Sequence, residues 1–278
     1  MAMLSRTDLN LGAGESQNLT NIWNWHNWEG LPYLTCSLLR NWPHGFFTQQ
    51  FSPRYPAELV GVLQPDAQVY RVKQVHGNVV MTPSQIEGAA DCQELPPADG
   101  IVTELPQQSV WVASADCTPV LIADTQTGQV GAVHAGWRGT ARKIVPQAIA
   151  RLLANGSQLQ NLRVAMGPAI AGEVYQLSVN VAAEVGASIV PQLDPEKDLE
   201  AILDALQQLP NSPLLPDPQP GRVRLDVRRV NELQLEQMGI SSEQVSVAPH
   251  CTYQEPEFFF SYRRDKLKKV QWSGIVSI

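Results

Sequence analysis

Residues 109–135 read SVWVASADCTPVLIADTQTGQVGAVHA, and this stretch decides the fold class. It contains two apolar runs within 109–124, separated by the turn-forming segment 115–119, and a third run at 129–135. Short apolar runs between turn residues are typical of buried strands. The chain then passes through a glycine-flanked turn into 141–154, which predicts a helix. The centre of the protein is therefore expected to be a buried sheet with a helix beside it.

The same signals extend outward on both sides of this stretch. Further strands are predicted at 31–39, on either side of a turn at 76–78 within 69–82, and at 162–166, 244–248, 258–262 and 270–278. Helices are predicted at 57–63, 198–209 and 225–238. Many short strands with helices between only some of them indicate an α+β protein built in layers. The glycine spacings fit no GxGxxG pattern, which disfavours a dinucleotide-binding fold.

Two segments differ in character from the rest. Residues 1–30 are polar with interleaved tryptophans, and they predict either a strand or an arm that contacts a partner. Residues 191–222 combine an acidic helix with a proline-rich loop, which is typical of an insertion rather than a linker between domains. We therefore divide the chain into an N-terminal arm at 1–30 and a single domain at 31–278.

The composition excludes several classes of protein. The 278 residues carry a formal net charge of −7, which argues against a dedicated nucleic-acid binder because such proteins normally present a basic face. No stretch approaches the roughly 18 apolar residues that span a bilayer, and the N-terminus lacks the apolar core of a signal peptide. The Asn18 sequon is therefore a chance match, and the four cysteines form no CxxC pair. We expect a cytoplasmic monomer or homodimer with reduced thiols and no membrane association.

Three segments place a reactive side chain after an apolar strand and just before a backbone break. They present His76, Cys117 and His134. Two imidazoles and one thiolate suit Zn²⁺, and three protein ligands leave the fourth position open, which is the pattern of a catalytic site. Spacing alone does not decide the matter, because a single histidine or cysteine near a strand end is most often simply packed.

Other side chains near these segments have two interpretations each. Asp116 is either a general base or an acceptor that orients a ligand histidine, or else the cap of a turn. Arg138 opens a helix and could bind an anion, or form a surface ion pair. Arg263 follows an aromatic segment and could face the pocket, or lie in solvent. His26, Cys36, His44 and Cys92 are expected to be structural or exposed, and Cys251 is expected to lie in the core. His250 and Cys251 are adjacent and would point to opposite faces of an extended segment, so they could hardly share one metal.

Seven motifs together resemble one known family. They are KQVHG (73–77), ADGIVT (98–103), ADCTPVLIAD (115–124), AVHAGWRGT (132–140), MGPAI (166–170), HCTY (250–253) and FFSYRRD (259–265). By these motifs the chain resembles the laccase-domain (YfiH-like) family. That family was first labelled multicopper polyphenol oxidase and is now regarded as purine nucleoside phosphorylase with adenosine deaminase activity. The resemblance implies a single-domain layered sandwich of mixed β-sheets flanked by helices.

The resemblance also implies a site and its chemistry. The family's metal ligands fall on His76, Cys117 and His134, with Zn²⁺ as the expected ion and Cu²⁺ as the alternative. The implied reactions are phosphorolysis of adenosine, inosine, guanosine and methylthioadenosine, and hydrolytic deamination of adenosine. Asp116 is our candidate proton shuttle, and Arg138 and Arg263 are candidates for binding phosphate. The chain departs from the family at 41–63, and whether Arg54 replaces an arginine of the family's N-terminal segment is open.

Three alternatives remain at this point. Cys117 activated by His134 could be the nucleophile of an amidase or deamidase. A copper oxidase is a weaker alternative, because one His₂Cys cluster cannot supply the several coppers of a laccase. A metal-stabilised binding module without catalysis, working through the tryptophan-rich arm, is the third.

Overall fold

The computed structural model of the protein describes residues 22–89, 94–190 and 192–278. Within them the chain forms fifteen strands: β1 Trp23–Trp28, β2 Leu31–Cys36, β3 His44–Phe47, β4 Gln68–Tyr70, β5 Val80–Met81, β6 Gly100–Val102, β7 Gln108–Ser114, β8 Thr118–Asp124, β9 Val130–Ala135, β10 Leu162–Met166, β11 Gln176–Ser178, β12 Leu214–Pro216, β13 Arg222–Leu225, β14 Val245–Val247 and β15 Gln271–Val276. The helices of the same residues are α1 Pro56–Leu63, α2 Pro83–Gly88, α3 Trp137–Ala141, α4 Ile144–Ala154, α5 Val179–Gly186, α6 Leu199–Gln207, α7 Val227–Gln237 and α8 Tyr262–Asp265.

Strands β8 and β9, which come from the quoted stretch, pair in antiparallel orientation at the centre of a six-stranded sheet. The strand order of this sheet is β14-β10-β8-β9-β6-β5. Alternate residues of β8 face opposite sides: Leu121 packs between the two large sheets, whereas Val120 and Ile122 pack under the helices. Because both faces are covered, the strand is continuously apolar rather than alternating, as the sequence predicted.

The other large sheet has the order β1-β2-β3-β15-β7-β4 and is also six-stranded. Its inner face contributes Leu34, Phe46 and Val112 to the core shared with the β8–β9 sheet. Helix α1 covers its outer face through Leu59, while α4 and α7 cover the outer face of the β8–β9 sheet. The layers are therefore helix, sheet, sheet and helices, which confirms the predicted α+β sandwich.

The segment predicted as an insertion forms part of a small third unit. Helix α6 and strand β12 lie within 192–222, and β12 and β11 both pair with β13 in a three-stranded sheet. Helices α5 and α6 pack on this sheet through an apolar cluster of their own. Among the described residues, no helix is long and apolar enough to cross a membrane.

The boundary that we drew at residue 30 falls inside a hairpin. Strand β1 pairs with β2 along its whole length, and the Trp23 side chain is buried in the core between the sheets. Of the two interpretations of the tryptophan-rich segment, the strand therefore describes 23–28, and this part of the chain is not a separate arm. Residues 1–21 and Cys92 lie outside the described residues.

Two secondary-structure predictions were wrong. Residues 258–261 form no strand: the Phe259 amide donates to the Glu255 carbonyl in a turn, and the Phe260 amide donates to the Gln271 side chain. Aromatic strand propensity is overridden here by packing of the rings. The helix predicted at 141–154 is two helices, α3 and α4, because Lys143 between them has a left-handed conformation with φ 59°.

Candidate metal centre

Cys117 lies where the chain crosses from one large sheet to the other. Strand β7 ends at Ser114 in the first sheet, and β8 begins at Thr118 in the second. Between them Asp116 has φ 89°, a left-handed conformation that turns the backbone sharply. The crossing therefore leaves the Cys117 side chain at the edge of the sheet, where it is partly exposed to a cavity rather than packed in the core.

His134 is fixed by Asp99 through two contacts. Its backbone amide donates to the Asp99 carbonyl (2.7 Å), and its Nδ1 lies 2.9 Å from Asp99 Oδ1. A carboxylate can only accept, so Nδ1 carries the proton and Nε2 is the nitrogen that can coordinate a metal. Both side chains are buried, with 4% and 0% of their surface exposed.

His76 is held by the same carboxylate. The backbone amides of Val75, His76 and Gly77 donate to Asp99 at 3.1, 2.9 and 2.7 Å. His76 has φ 59°, and the Asp99 cradle stabilises this loop in which a non-glycine residue is left-handed. One buried carboxylate thus positions both histidines relative to each other.

The potential ligand atoms of His76, Cys117 and His134 all lie within 4.8 Å of one another. Two imidazoles and one thiolate around one point are a donor set that suits Zn²⁺. Tetrahedral bonds of 2.0–2.3 Å would place such ligands roughly 3.5 Å apart, a distance that small side-chain rotations can reach. The residues present therefore fit a three-ligand metal site. In residues 22–89, 94–190 and 192–278 this is the one cluster of its kind.

A glycine makes the close approach of these side chains feasible. A Cβ atom at Gly136 would lie 2.8 Å from Cys117 Sγ and 3.4 Å from His76 Cδ2. Any larger residue at this position would displace the sulfur or the imidazole. Gly136 therefore keeps the space between the two ligands free of side-chain atoms.

Electrostatic attraction between Cys117 and His134 favours the charged form of each side chain. Burial alone would raise the pKa of Cys117, but His134 and hydrogen bonds from both imidazoles lower it to about 6. Burial alone would lower the pKa of His134, but the Cys117 thiolate and Asp99 raise it to about 9. The pKa of Asp99 lies below its usual range despite burial, because His134 and backbone amides donate to it. At neutral pH the sulfur is therefore a thiolate, which is the form that binds metals and attacks electrophiles.

A cavity of about 510 Å³ opens at the three candidate ligands. Pockets of this size hold small organic molecules. Its wall is largely apolar and aromatic, with Tyr262, Leu267 and Trp272, and its polar lining includes Gln74 and Ser114 together with two lysines. His76, Cys117 and His134 all line this cavity, so a molecule bound there could reach them.

Asp116 lies beside this site but does not contact the histidines. Its Oδ1 accepts from the Thr252 hydroxyl (2.8 Å) and its Oδ2 from the Arg263 amide (2.6 Å). Both donors lie in remote segments, so the side chain joins the turn at 115–119 to Thr252 and to the start of α8 rather than capping its own turn. The acceptor that orients a ligand histidine is Asp99 rather than Asp116. Asp99 lies in the ADGIVT motif but is not among the site residues predicted from the sequence.

The two candidate arginines do not line the 510 Å³ cavity. The Arg138 guanidinium stacks on Trp137 at 4.2 Å. That of Arg263 donates to the Gln176 carbonyl (2.9 Å) and lies 4.7 Å from the Tyr175 ring. Trp137 and Tyr175 line a small cavity of about 10 Å³, which Cys117 also lines and which has room for one water molecule at most.

The remaining candidates are structural or lie at a neighbouring cavity. Arg54 lines a cavity of about 190 Å³, with its guanidinium 5.3 Å from the Trp28 ring. His44 and Cys36 are buried and joined by a hydrogen bond from the Cys36 amide to His44 Nε2 (2.8 Å). Cys251 is buried and accepts from the Ala171 amide, as expected of a core residue.

Comparison with known proteins places these features in a family. The family model described as multi-copper polyphenol oxidoreductase laccase matches residues 56–276. A purine nucleoside phosphorylase of Synechocystis sp. is 54% identical over 261 residues, which cover 92% of this chain and 98% of that protein. An adenosine deaminase named RL5, from an unknown prokaryotic organism, is 31% identical over 60% of this chain and 56% of its own length.

Solved structures agree with the fold. YlmD from Geobacillus stearothermophilus superposes with a TM-score of 0.73, covering 91% of this chain and 98% of that chain at 24% sequence identity. YfiH from Bacillus licheniformis gives a TM-score of 0.69 at 23% identity, covering 88% of this chain and 96% of that chain. At these identities the likeness establishes the layered architecture alone.

Proposed function

Because this chain belongs to the family described as multi-copper polyphenol oxidoreductase laccase, with curated relatives named purine nucleoside phosphorylase and adenosine deaminase, we propose that it is a zinc-dependent purine nucleoside enzyme. The proposed reactions are phosphorolysis of adenosine, inosine, guanosine and methylthioadenosine, and hydrolytic deamination of adenosine. Zn²⁺ is the proposed ion, with Cu²⁺ as the alternative.

One observation supports this proposal more than any other. His76, Cys117 and His134 come from three distant segments, yet their ligand atoms converge within 4.8 Å at the 510 Å³ cavity. A purely structural metal site would be closed by a fourth protein ligand. Here the described residues provide three ligands and an open cavity, which is the arrangement of a catalytic centre.

The two proposed reactions act on the same purine nucleoside but break different bonds in it. In phosphorolysis a phosphate oxygen bonds to the ribose C1′ as the C1′–N9 bond breaks, and the proton of hydrogen phosphate leaves with the purine. In deamination water replaces the C6 amino group, which leaves as ammonia. A Zn²⁺ ion at this site would supply Lewis acidity at the floor of the cavity.

The chain's own residues prepare the site for either reaction. Asp99 fixes the tautomer of His134 and the loop of His76, so both rings are oriented before substrate arrives. The apolar wall around Tyr262 and Trp272 provides surfaces on which a purine ring can pack. Asp116, the proton shuttle that the sequence suggested, accepts from Thr252 and Arg263 and does not line this cavity, so we assign it instead the positioning of the turn that carries Cys117.

Replacing the cysteine ligand tests the shared site. We expect Cys117→Ala to abolish both activities without unfolding the protein, because the residue lies at the edge of the sheet rather than in its core. Cys251→Ala is the matched control: that cysteine is buried outside the metal cluster, and the variant should keep both activities. The assays follow adenosine turnover with and without phosphate, after metal analysis of the same sample. Full phosphorolysis by Cys117→Ala would refute a shared metal mechanism.

A second candidate function is favoured by one specific observation. Asp99, His134 and Cys117 also form the sequence of acid, base and nucleophile found in cysteine hydrolases, and the pKa of Cys117 is lowered to about 6. Such an enzyme would be an amidase or deamidase. Iodoacetamide separates the two functions: a zinc-bound thiolate should be protected until a chelator is added, whereas a catalytic nucleophile should be alkylated at once.

Two further measurements test the remaining hypotheses, the copper oxidase and the binding module. Visible absorbance after copper loading would support the copper oxidase. Zinc bound in stoichiometric amount without turnover of any nucleoside would support a binding module.

A further inference from the structure

Lys268 and Lys269 line the 510 Å³ cavity at His76, Cys117 and His134, which we call the metal cavity. Lys268 and Lys269 belong to the exposed segment 266–270, which connects α8 to β15. The same two lysines also line the neighbouring 190 Å³ cavity, together with Arg54. Among the described residues, no Asp or Glu lines either cavity. Both cavities therefore share a wall that carries two lysines and no carboxylate.

The two ammonium groups also lack ion-pair partners elsewhere. Within the parts of the chain that the structure describes, no carboxylate oxygen lies within 4.0 Å of the nitrogen of Lys268 or Lys269. Lys73 and Lys197, by contrast, each contact a carboxylate. On a protein with a net charge of −7, two unpaired lysines at one cavity create a local positive potential that attracts anions.

A buried hydroxyl in the same cavity points to a ligand independently of charge. Ser114 is 3% exposed, lines the metal cavity, and its Oγ has no hydrogen-bond partner among the described residues. Ser114 lies opposite Gln271 in the β7–β15 pair, and Gln271 follows Lys269 by two residues. A buried hydroxyl without a partner is costly, and an oxyanion between it and the lysines would satisfy it.

The arginines that the sequence suggested for anion binding do not line the metal cavity. Arg138 stacks on Trp137, and Arg263 donates to a backbone carbonyl and stacks on Tyr175. The cavity beside those two aromatic rings has a volume of about 10 Å³, too small for phosphate. The metal cavity has the room for phosphate that this small cavity lacks.

From these contacts we infer that Lys268, Lys269 and Ser114 form the site for a phosphate group in the metal cavity. The ammonium groups neutralise the phosphate charge, and the hydroxyl donates to one of its oxygens. The inference rests on the proposed function and specifies it: the occupant is inorganic phosphate, held next to the nucleoside for attack on C1′. The 5′-phosphate of a nucleotide has the same chemistry and is the alternative source.

The test separates phosphate binding from the rest of catalysis. We expect the double variant K268Q/K269Q to raise the KM for inorganic phosphate about 10- to 100-fold, the range for losing hydrogen bonds to a charged group. In deamination without phosphate, the KM for adenosine should rise by a much smaller factor than the KM for phosphate, because that reaction needs no anion site. Ser114→Ala should raise the same KM by a smaller factor. Lys266→Gln is the matched control, since Lys266 lies in the same segment but lines neither cavity.

Calorimetric titration of inorganic phosphate into the protein gives a reading that needs no turnover. Binding by wild type and its loss in K268Q/K269Q would support the inference even if no nucleoside were cleaved, a result that would refute only the proposed function. Unchanged phosphate binding and unchanged KM in the double variant would overturn it. Faster deamination of AMP than of adenosine, lost in the double variant while the phosphate KM stays constant, would assign the site to a nucleotide and also overturn the inorganic phosphate assignment.

Discussion

The carboxylate of Asp99 provides the most direct test of how the candidate metal site is built. Its two oxygens accept four hydrogen bonds, from the Nδ1 of His134 and His76 N at Oδ1 and from Val75 N and Gly77 N at Oδ2. Asp99→Asn keeps the shape of the side chain but replaces one acceptor oxygen with an NH₂ group. Whichever way the amide is oriented, two donors then face a donor, so two of the four bonds are lost.

The magnitude follows from these bonds. A hydrogen bond to a charged group contributes about 1.5–3 kcal/mol, so two lost bonds should destabilise the metal-free fold by about 3–6 kcal/mol if the loop does not rearrange. Loss of the bond that orients a ligand histidine typically weakens metal binding by about 10- to 100-fold. We therefore expect Asp99→Asn to lower both the stability of the metal-free protein and its affinity for Zn²⁺.

Asp124→Asn is the matched control for this substitution. Asp124 is equally buried and lies at the opposite end of β8, about 20 Å along the strand from the cysteine. It accepts from Gln126 and Thr127 through Oδ1 alone, and its Oδ2 has no partner among the described residues. An asparagine can keep both of these bonds, so the control should change stability and metal affinity little.

Two measurements decide the outcome. Urea unfolding of the metal-free proteins gives the stability difference, and competition with a chromophoric chelator gives the Zn²⁺ affinity. Zn²⁺ affinity of Asp99→Asn within twofold of wild type would show that the histidines are oriented without the carboxylate. Equal effects of Asp99→Asn and Asp124→Asn would show that a buried charge, rather than the four-bond cradle, is what matters.

Two further predictions concern a glycine and a buried histidine. Gly136→Ala places a Cβ 2.8 Å from Cys117 Sγ and should lower Zn²⁺ affinity at least about tenfold in the chelator competition; Gly61→Ala, whose Cβ meets no atom within 4 Å, should leave the affinity unchanged. Burial lowers the pKa of His44 from 6.5 to about 4, so the folded protein keeps it neutral while the unfolded chain takes up a proton below pH 6.5. Stability from this group is thus present above pH 6.5 and should fall by about 2 kcal/mol between pH 7 and pH 5. Urea unfolding of His44→Gln should show a pH dependence smaller by that amount, and an unchanged pH dependence would contradict it.

The metal cluster could be anticipated because its members carry local signals. His76, Cys117 and His134 each lie beside a backbone break that a few neighbouring residues make visible. Asp99 carries no such signal: its role depends on His134, 35 residues away, and on amides 22–24 residues before it. The sequence shows that an aspartate precedes a strand but not that its two oxygens face two different loops.

The roles of the arginines and lysines were harder to predict from the sequence than the metal cluster, because they too depend on contacts between remote segments. The charge of Arg263 is evident in the sequence, but its commitment to Gln176 and Tyr175 depends on packing between remote segments. Nothing in the sequence singles out Lys268 and Lys269, because exposed lysines are common. Their significance appears only once two cavities without carboxylates are found on either side of them.

The proton on His134 Nε2 connects the two functions considered for this site, metal catalysis and nucleophilic catalysis by Cys117. Without metal, the raised pKa of His134 and the lowered pKa of Cys117 favour an imidazolium beside a thiolate, which is the resting state of a cysteine nucleophile. Coordination requires His134 Nε2 to lose its proton, so metal and proton compete for the same nitrogen. Asp99 holds Nδ1 in both cases and therefore cannot distinguish them. Occupancy of the site by metal, rather than any rearrangement of the fold, would then determine whether Cys117 is a ligand or a nucleophile.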